Sequence, residues 1–127
     1  MNTTEYLKIK GMSPQFLVTD INKSILLYTT HLGFQVGFRY EDFYAGLIKD
    51  QYSIHIKLAD TVIIEKENRN NEEQLHLIFS VEGLEKLYED FRKRSIKITQ
   101  PLREMPYGKE FYIADPDGYV IAFIEGS

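Results

Sequence analysis

Pro106 to Glu125 reads PYGKEFYIADPDGYVIAFIE: loop, strand, tight turn, strand. Asp115-Pro116-Asp117-Gly118 is turn chemistry, because Pro116 presets φ, Asp117 can bond its own backbone and Gly118 accepts a positive φ. The flanking runs FYIA and YVIAFIE are β-rich, so the segment is a hairpin or a meander corner. A fainter copy lies 67 residues earlier, where Asp50-Gln51-Tyr52-Ser53-Ile54-His55-Ile56 matches Asp117-Gly118-Tyr119-Val120-Ile121-Ala122-Phe123 position for position. Self-similarity at a fixed offset marks a repeated unit.

Working outward from that pair, the rest of the chain doubles as well. SPQFLVT (13–19) reads as a strand, with Pro14 at its start, and Asp20 caps a helix whose one face is Ile21, Ile25, Tyr28 and Leu32. Gly33 is placed to stop it. FQVGFRYED, FYAGLIK and QYSIHIKLAD follow as three strand-like runs. LHLIFSV (75–81) opens a second strand–helix pair with the helix face Leu84, Leu87, Tyr88 and Phe91, then a strand at 96–99 and a Pro-flanked loop at 100–108. The helices align at an offset of 63, pairing Ile21 with Leu84 and Tyr28 with Phe91. Each half is β-α-β-β-β, about 12–65 and 74–125, with the polar stretch 66–73 as a linker and 60–65 either continuing the fourth strand or forming a short strand of its own. One such unit cannot bury its own helix, so the expected fold is α+β, with tandem β-α-β-β-β modules forming a cupped mixed sheet, helices on the convex face and a concave cavity.

Composition narrows the function. The chain has 127 residues, enough for one domain, and 43% hydrophobic with 13% aromatic content supports a packed core. Zero Cys rules out disulfides, thiolate metal sites and Cys nucleophiles. A net charge of −4 argues against a nucleic-acid partner. No apolar run reaches membrane-span length and the N-terminus has no apolar signal core, so a cytoplasmic protein is expected.

VTDINKSILLYTTHLGF in the first half and PYGKEFYIADPDGYVIAFIE in the second resemble the strand-to-helix entry and the terminal hairpin of the vicinal oxygen chelate superfamily, which includes glyoxalase I, bleomycin-resistance proteins and extradiol dioxygenases. The resemblance covers residues 12–125 and implies fold more than activity. It also implies four inward positions that hold a metal in the family's enzymes, here Ser13, His55, His76 and Ala122. Ala122 has no donor and Ser13 is a poor ligand, so no cofactor is expected; the alternative is a divalent metal ion held by His55, His76 and Gln15 in a lyase, isomerase or dioxygenase.

Strand parity gives one apolar set (Phe16, Val18, Ile54, Ile56, Leu58, Leu75, Leu77, Phe79, Ile121, Phe123) that should face the helices. The other set (Ser13, Gln15, Ser53, His55, Lys57, His76, Ala122, Ile124) is mixed and polar and should line the cavity. Asp115 and Asp117 read as turn residues, and Glu104 and Glu110 as solvated charge. Phe34-Gln35-Val36-Gly37-Phe38-Arg39 and Ser13-Pro14-Gln15 resemble the bleomycin-resistance subgroup, whose members are metal-free dimers that sequester a partly cationic antibiotic in aromatic-lined grooves. The expected protein is therefore a small-molecule-binding homodimer with no catalytic residues, whose ligand-binding residues are Gln15, Phe38, Tyr44, His55, His76, Tyr107 and Phe111.

Overall fold

The computed structural model describes residues 6–59 and 75–126. The expected strand at 60–65 and linker at 66–73 lie outside the described residues. The chain divides into two compact units, Met1–Ala59 and Asp60–Ser127. The fold is α+β, with one four-stranded mixed sheet and one helix among the described residues of each unit. No helix among the described residues is long and apolar enough to cross a membrane.

The first unit runs β1 (Gln15–Val18), α1 (Ile21–Leu26, continued by a π-helical turn over Leu27–His31), β2 (Gln35–Tyr40), β3 (Tyr44–Lys49) and β4 (Tyr52–Leu58). Its sheet order is β1-β4-β3-β2, with β1 parallel to β4 and the other pairs antiparallel. The parallel pair follows from the helical crossover that leaves β1. Asp20 caps α1 as its position suggests, its carboxylate accepting from the Asn22 and Lys23 amides at 3.0 and 3.2 Å. The expected 4-3-4 face is modified by the π turn. Thr29 Oγ1 donates to the Ile25 carbonyl at 2.7 Å, and the Leu32 amide reaches back five residues to Leu27. The fully buried helix positions are accordingly Ile21, Ser24 and Tyr28, with Leu32 only half-buried. Gly33 ends the helix at φ +78°. Phe16, Val18, Ala45, Leu47, Ile54 and Ile56 form the buried side of the sheet, and α1 packs on β3 and β4.

The β3–β4 hairpin joins Lys49 to Tyr52 through two residues, Asp50 and Gln51, with φ of +50° and +79°. Two positive φ values in a two-residue loop are what Asp-Gly satisfies and Asp-Gln does not. The internal repeat places Gln51 opposite Gly118, which has φ +84°. Gln51→Gly is expected to stabilise the protein by about 1 kcal/mol. A rise in the urea midpoint at unchanged slope checks this, and a fall would contradict it.

The second unit runs β5 (Leu77–Ser80), α2 (Leu84–Lys93), β6 (Ile98–Met105), β7 (Gly108–Ala114) and β8 (Val120–Gly126), in the order β5-β8-β7-β6, with β5 parallel to β8. The 63-residue helix alignment holds in burial: Leu84 is buried like Ile21, and Phe91 like Tyr28. Phe91 lies edge-on to Phe111 and Phe123, at 5.8 and 5.4 Å between ring centres. Gly83, which precedes α2, has no side chain to cap it. Glu125 of β8 does so instead, accepting from the Gly83 and Leu84 amides at 3.0 and 3.1 Å. The loop expected over 100–108 is strand as far as Met105. Pro101 is accommodated because β6 is an edge strand with register shifts on both sides of Gln100. Asp115 holds the terminal turn, its Oδ1 accepting from the Asp117 and Tyr119 amides, both at 2.9 Å.

The parity reading holds on the helix side for Phe16, Val18, Ile54, Ile56, Ile121 and Phe123, which are buried, but not for Leu75, which precedes β5 and packs on the other side against Tyr112, Val120 and Ala122. On the other side the two units differ. Gln15 and Lys57 are exposed in the first, whereas Ala122 of the second is buried in an apolar cluster with Tyr112 and Val120, against which Leu75 and Ile124 pack. The open face expected to be polar is polar and aromatic in the first unit; in the second it joins that apolar cluster to the polar side chain of Glu110, which shares its parity along β7 with Tyr112.

Candidate functional site

On the first sheet, Gln15, His55, Gly46 and Phe38 occupy one cross-strand row, because β1 pairs with β4, β4 with β3 and β3 with β2 in that register. Lys57, Tyr44 and Tyr40 form the neighbouring row. Gly46 makes the arrangement possible. A Cβ built there would fall 2.2 Å from Cε1 of Phe38, so the Phe38 ring occupies the space a side chain would take. That ring stacks on Tyr44 (centroids 6.0 Å apart, planes 13° apart) and meets His55 edge-on at 5.3 Å. Tyr40 lies 5.7 Å from Phe38 and stacks on Phe43 at 6.4 Å. Phe38, Tyr40 and Phe43 remain 39, 59 and 49% exposed. Exposed rings this close together form a ledge that a flat organic molecule can cover at little ordering cost.

Polar groups run alongside the ledge. Tyr44 Oη donates to Gln15 Oε1 at 3.0 Å and lies 2.8 Å from His55 Nδ1. Ser13 and Ser53 are hydrogen-bonded through their hydroxyls. Four of the seven expected ligand residues, Gln15, Phe38, Tyr44 and His55, are therefore brought together on this one face.

The second unit holds a different constellation. Glu110 on β7 is 1% exposed. Its Oε1 accepts from Tyr107 Oη at 2.5 Å, and its Oε2 from Tyr112 Oη at 2.8 Å and from Arg103 Nε and Nη2 at 2.8 and 2.6 Å. Arg103 also lies over the Tyr112 ring, 5.5 Å from its centre. Burial pushes the Glu110 carboxyl up, but the Tyr107, Tyr112 and Arg103 hydrogen bonds and the Arg103 charge outweigh it and hold the group below its ordinary value. Tyr107 is pushed up to about 12, chiefly because its phenolate would lose the hydrogen bond to Glu110. Tyr112 is also raised, by burial and then by Glu110, and Arg103 is raised by its bond to Glu110. The solvated charge expected at Glu110 is thus a buried, fully partnered carboxylate. The missed signal is hairpin arithmetic: a chain reversal around Tyr107 sets Arg103 opposite Glu110, and Tyr112 follows on the same side of β7.

The other expected residues are placed as follows. His76 Nδ1 accepts the Val120 amide at 3.0 Å and its ring meets Tyr119 edge-on at 5.1 Å, so His76 ties the segment before β5 to β8. Tyr107 is half-exposed above Glu110. Phe111 departs from the expectation. It is 0% exposed and packs against Phe91, Phe123 and Tyr88 between sheet and helix, because its parity along β7 matches the helix side.

The residues at the four family metal positions do not fit a divalent ion. Ser13 is bonded to Ser53, Ala122 has no donor atom, and His76 uses Nδ1 as an acceptor for a backbone amide. Binding an ion through Nε2 of His76 would place the ring proton on Nδ1, against the Val120 N–H. Glu125, the nearest carboxylate in sequence to Ala122, caps α2. Among the described residues no three His, Cys, Asp or Glu side chains converge.

A family model described as the glyoxalase/bleomycin resistance protein/dioxygenase superfamily matches residues 13–123. Among solved structures, a glyoxalase/bleomycin resistance protein/dioxygenase from Alicyclobacillus acidocaldarius is similar at 17% identity and TM-score 0.74, covering 92% of this chain and 91% of that one. The bleomycin-binding protein of bleomycin-producing Streptomyces verticillus, complexed with copper(II)-bleomycin, is similar at 22% identity and TM-score 0.70, covering 95 and 99%. The fosfomycin resistance protein FosX of Listeria monocytogenes is similar at 15% identity and TM-score 0.74, covering 94 and 96%. At these identities the likeness is one of fold. No curated protein matches the chain.

Proposed function

The chain belongs to the glyoxalase/bleomycin resistance protein/dioxygenase superfamily, and from that premise we propose that it is a small-molecule-binding protein of the bleomycin-resistance type. It takes up an aromatic organic ligand by stacking and directed hydrogen bonds rather than by chemistry. The observation that carries this reading is the exposed ring ledge of Phe38, Tyr40, Phe43 and Tyr44 beside the Gln15–Tyr44–His55 chain. The donor-poor set at the family metal positions supports binding over metal-assisted catalysis. Net charge of −4 favours ligands with cationic character, bleomycin-type antibiotics among them. Half-exposed Tyr107 is proposed as an additional ligand contact of the second module, and the working form as a cytoplasmic homodimer.

Calorimetric titration with bleomycin and a panel of cationic aromatics tests the reading. Phe38→Ala is expected to weaken the best binder roughly tenfold, or about 1.4 kcal/mol, with the fold retained by circular dichroism. Affinity unchanged in Phe38→Ala would remove the ledge from the site.

A further inference from the structure

The hydrogen count along the Gln15–Tyr44–His55 chain sets what the ligand must offer. This step rests on the aromatic face being the ligand face. Tyr44 has one hydroxyl proton, and it is donated to Gln15 Oε1. The 2.8 Å contact between Tyr44 Oη and His55 Nδ1 then needs its proton from the imidazole. A neutral ring carries a single N–H, so the proton sits on Nδ1 and Nε2 is left with its lone pair. Nε2 has no partner among the described residues. The ring is held in place on both sides, edge-on to Phe38 at 5.3 Å and edge-on to Tyr44 at 5.6 Å.

We infer that His55 Nε2 is a hydrogen-bond acceptor presented on the aromatic face, and that the ligand class is an aromatic ring bearing an O–H or N–H donor. Gln15 and Tyr44 are positioning residues. Gln15 orients the Tyr44 hydroxyl, and Tyr44 selects the histidine tautomer. An acceptor beside stacking rings discriminates strongly, because a ring without a donor would cover Nε2 and leave it unsatisfied. A face made only of rings would accept any flat molecule.

Two measurements on the full chain test this. Long-range proton–nitrogen NMR of the histidine rings should find His55 in the Nδ1–H tautomer, and Tyr44→Phe, which removes the oxygen acceptor, should return it to Nε2–H. Phenol and anisole, which share a ring but differ in the donor, are then titrated while the Phe38 and Tyr44 resonances are followed. Phenol is expected to bind about fivefold more tightly in the wild type, with the preference collapsing towards parity in Tyr44→Phe. An Nε2–H tautomer in the wild type overturns the inference. Equal binding of both probes at the face overturns it while leaving the aromatic reading intact. If neither probe perturbs Phe38 or Tyr44, the reading of this face fails and the inference fails with it.

Discussion

Gly108→Ala is expected to destabilise the protein by about 3 kcal/mol or more, the largest effect of any single methyl addition we anticipate. Gly108 opens β7 at φ +137°, a region that residues with a Cβ rarely occupy. A Cβ there would stand 2.2 Å from the Glu125 carbonyl oxygen and 2.9 Å from the Gly126 Cα. Both atoms belong to the backbone of β8, the strand paired with β7, so no side chain can rotate away to make room. Relief requires moving one strand from the other. That motion would disturb the Tyr107–Glu110 bond on one side and the Glu125 cap of α2 on the other. For a chain of this size the melting temperature should fall on the order of 10 °C. A melting curve superimposable on the wild type would show that the β7–β8 approach is not rigid.

Glu110→Gln is expected to cost about 2 kcal/mol at neutral pH. The amide keeps the shape but loses the charge that Arg103 faces, and its NH2 group meets hydroxyl or guanidinium donors where an acceptor is required. The pH dependence follows from the direction of each shift. The Glu110 carboxyl is lower in the folded protein than in the unfolded chain, so its stabilisation is complete above about pH 5 and fades as acid protonates it in the fold. Tyr107 is raised to about 12, so its contribution is complete below the ordinary phenol value near 10 and fades as pH rises towards 12. Denaturant unfolding of wild type and Glu110→Gln should therefore differ at pH 7 and converge in acid. Alkaline titration of tyrosine absorbance should show a late-ionising phenol in the wild type that moves down in the variant. A Tyr107 phenol that still ionises late after the substitution would mean the carboxylate is not its cause.

The duplicated frame was readable because it rests on local chemistry. Turn residues at Asp115-Pro116-Asp117-Gly118, a capping aspartate at Asp20 and helix faces 63 residues apart each depend on neighbours in sequence, and each appears in the structure. Parity along the strands likewise identified the core. The candidate ledge was partly legible: Gln15, Phe38, Tyr44 and His55 were singled out, but not the reason they meet. That reason is Gly46, whose missing side chain lets Phe38 lie across the sheet. Phe111, expected among the ligand-binding residues, is buried instead because its side of β7 faces α2, a placement set by strand pairing.

Sequence alone determined the fold class, the internal repeat and the apolar side of each sheet, because period, turn and cap signals act within a few residues. Tertiary structure decided which charged groups are buried and which imidazole nitrogen is occupied. Glu110 becomes a buried acceptor only when hairpin pairing sets Arg103 opposite it, and His55 acquires a defined tautomer only when sheet register sets Tyr44 and Gln15 beside it. Such states depend on atoms contributed from distant parts of the chain, and a hydrogen bond exists only once both ends are in place.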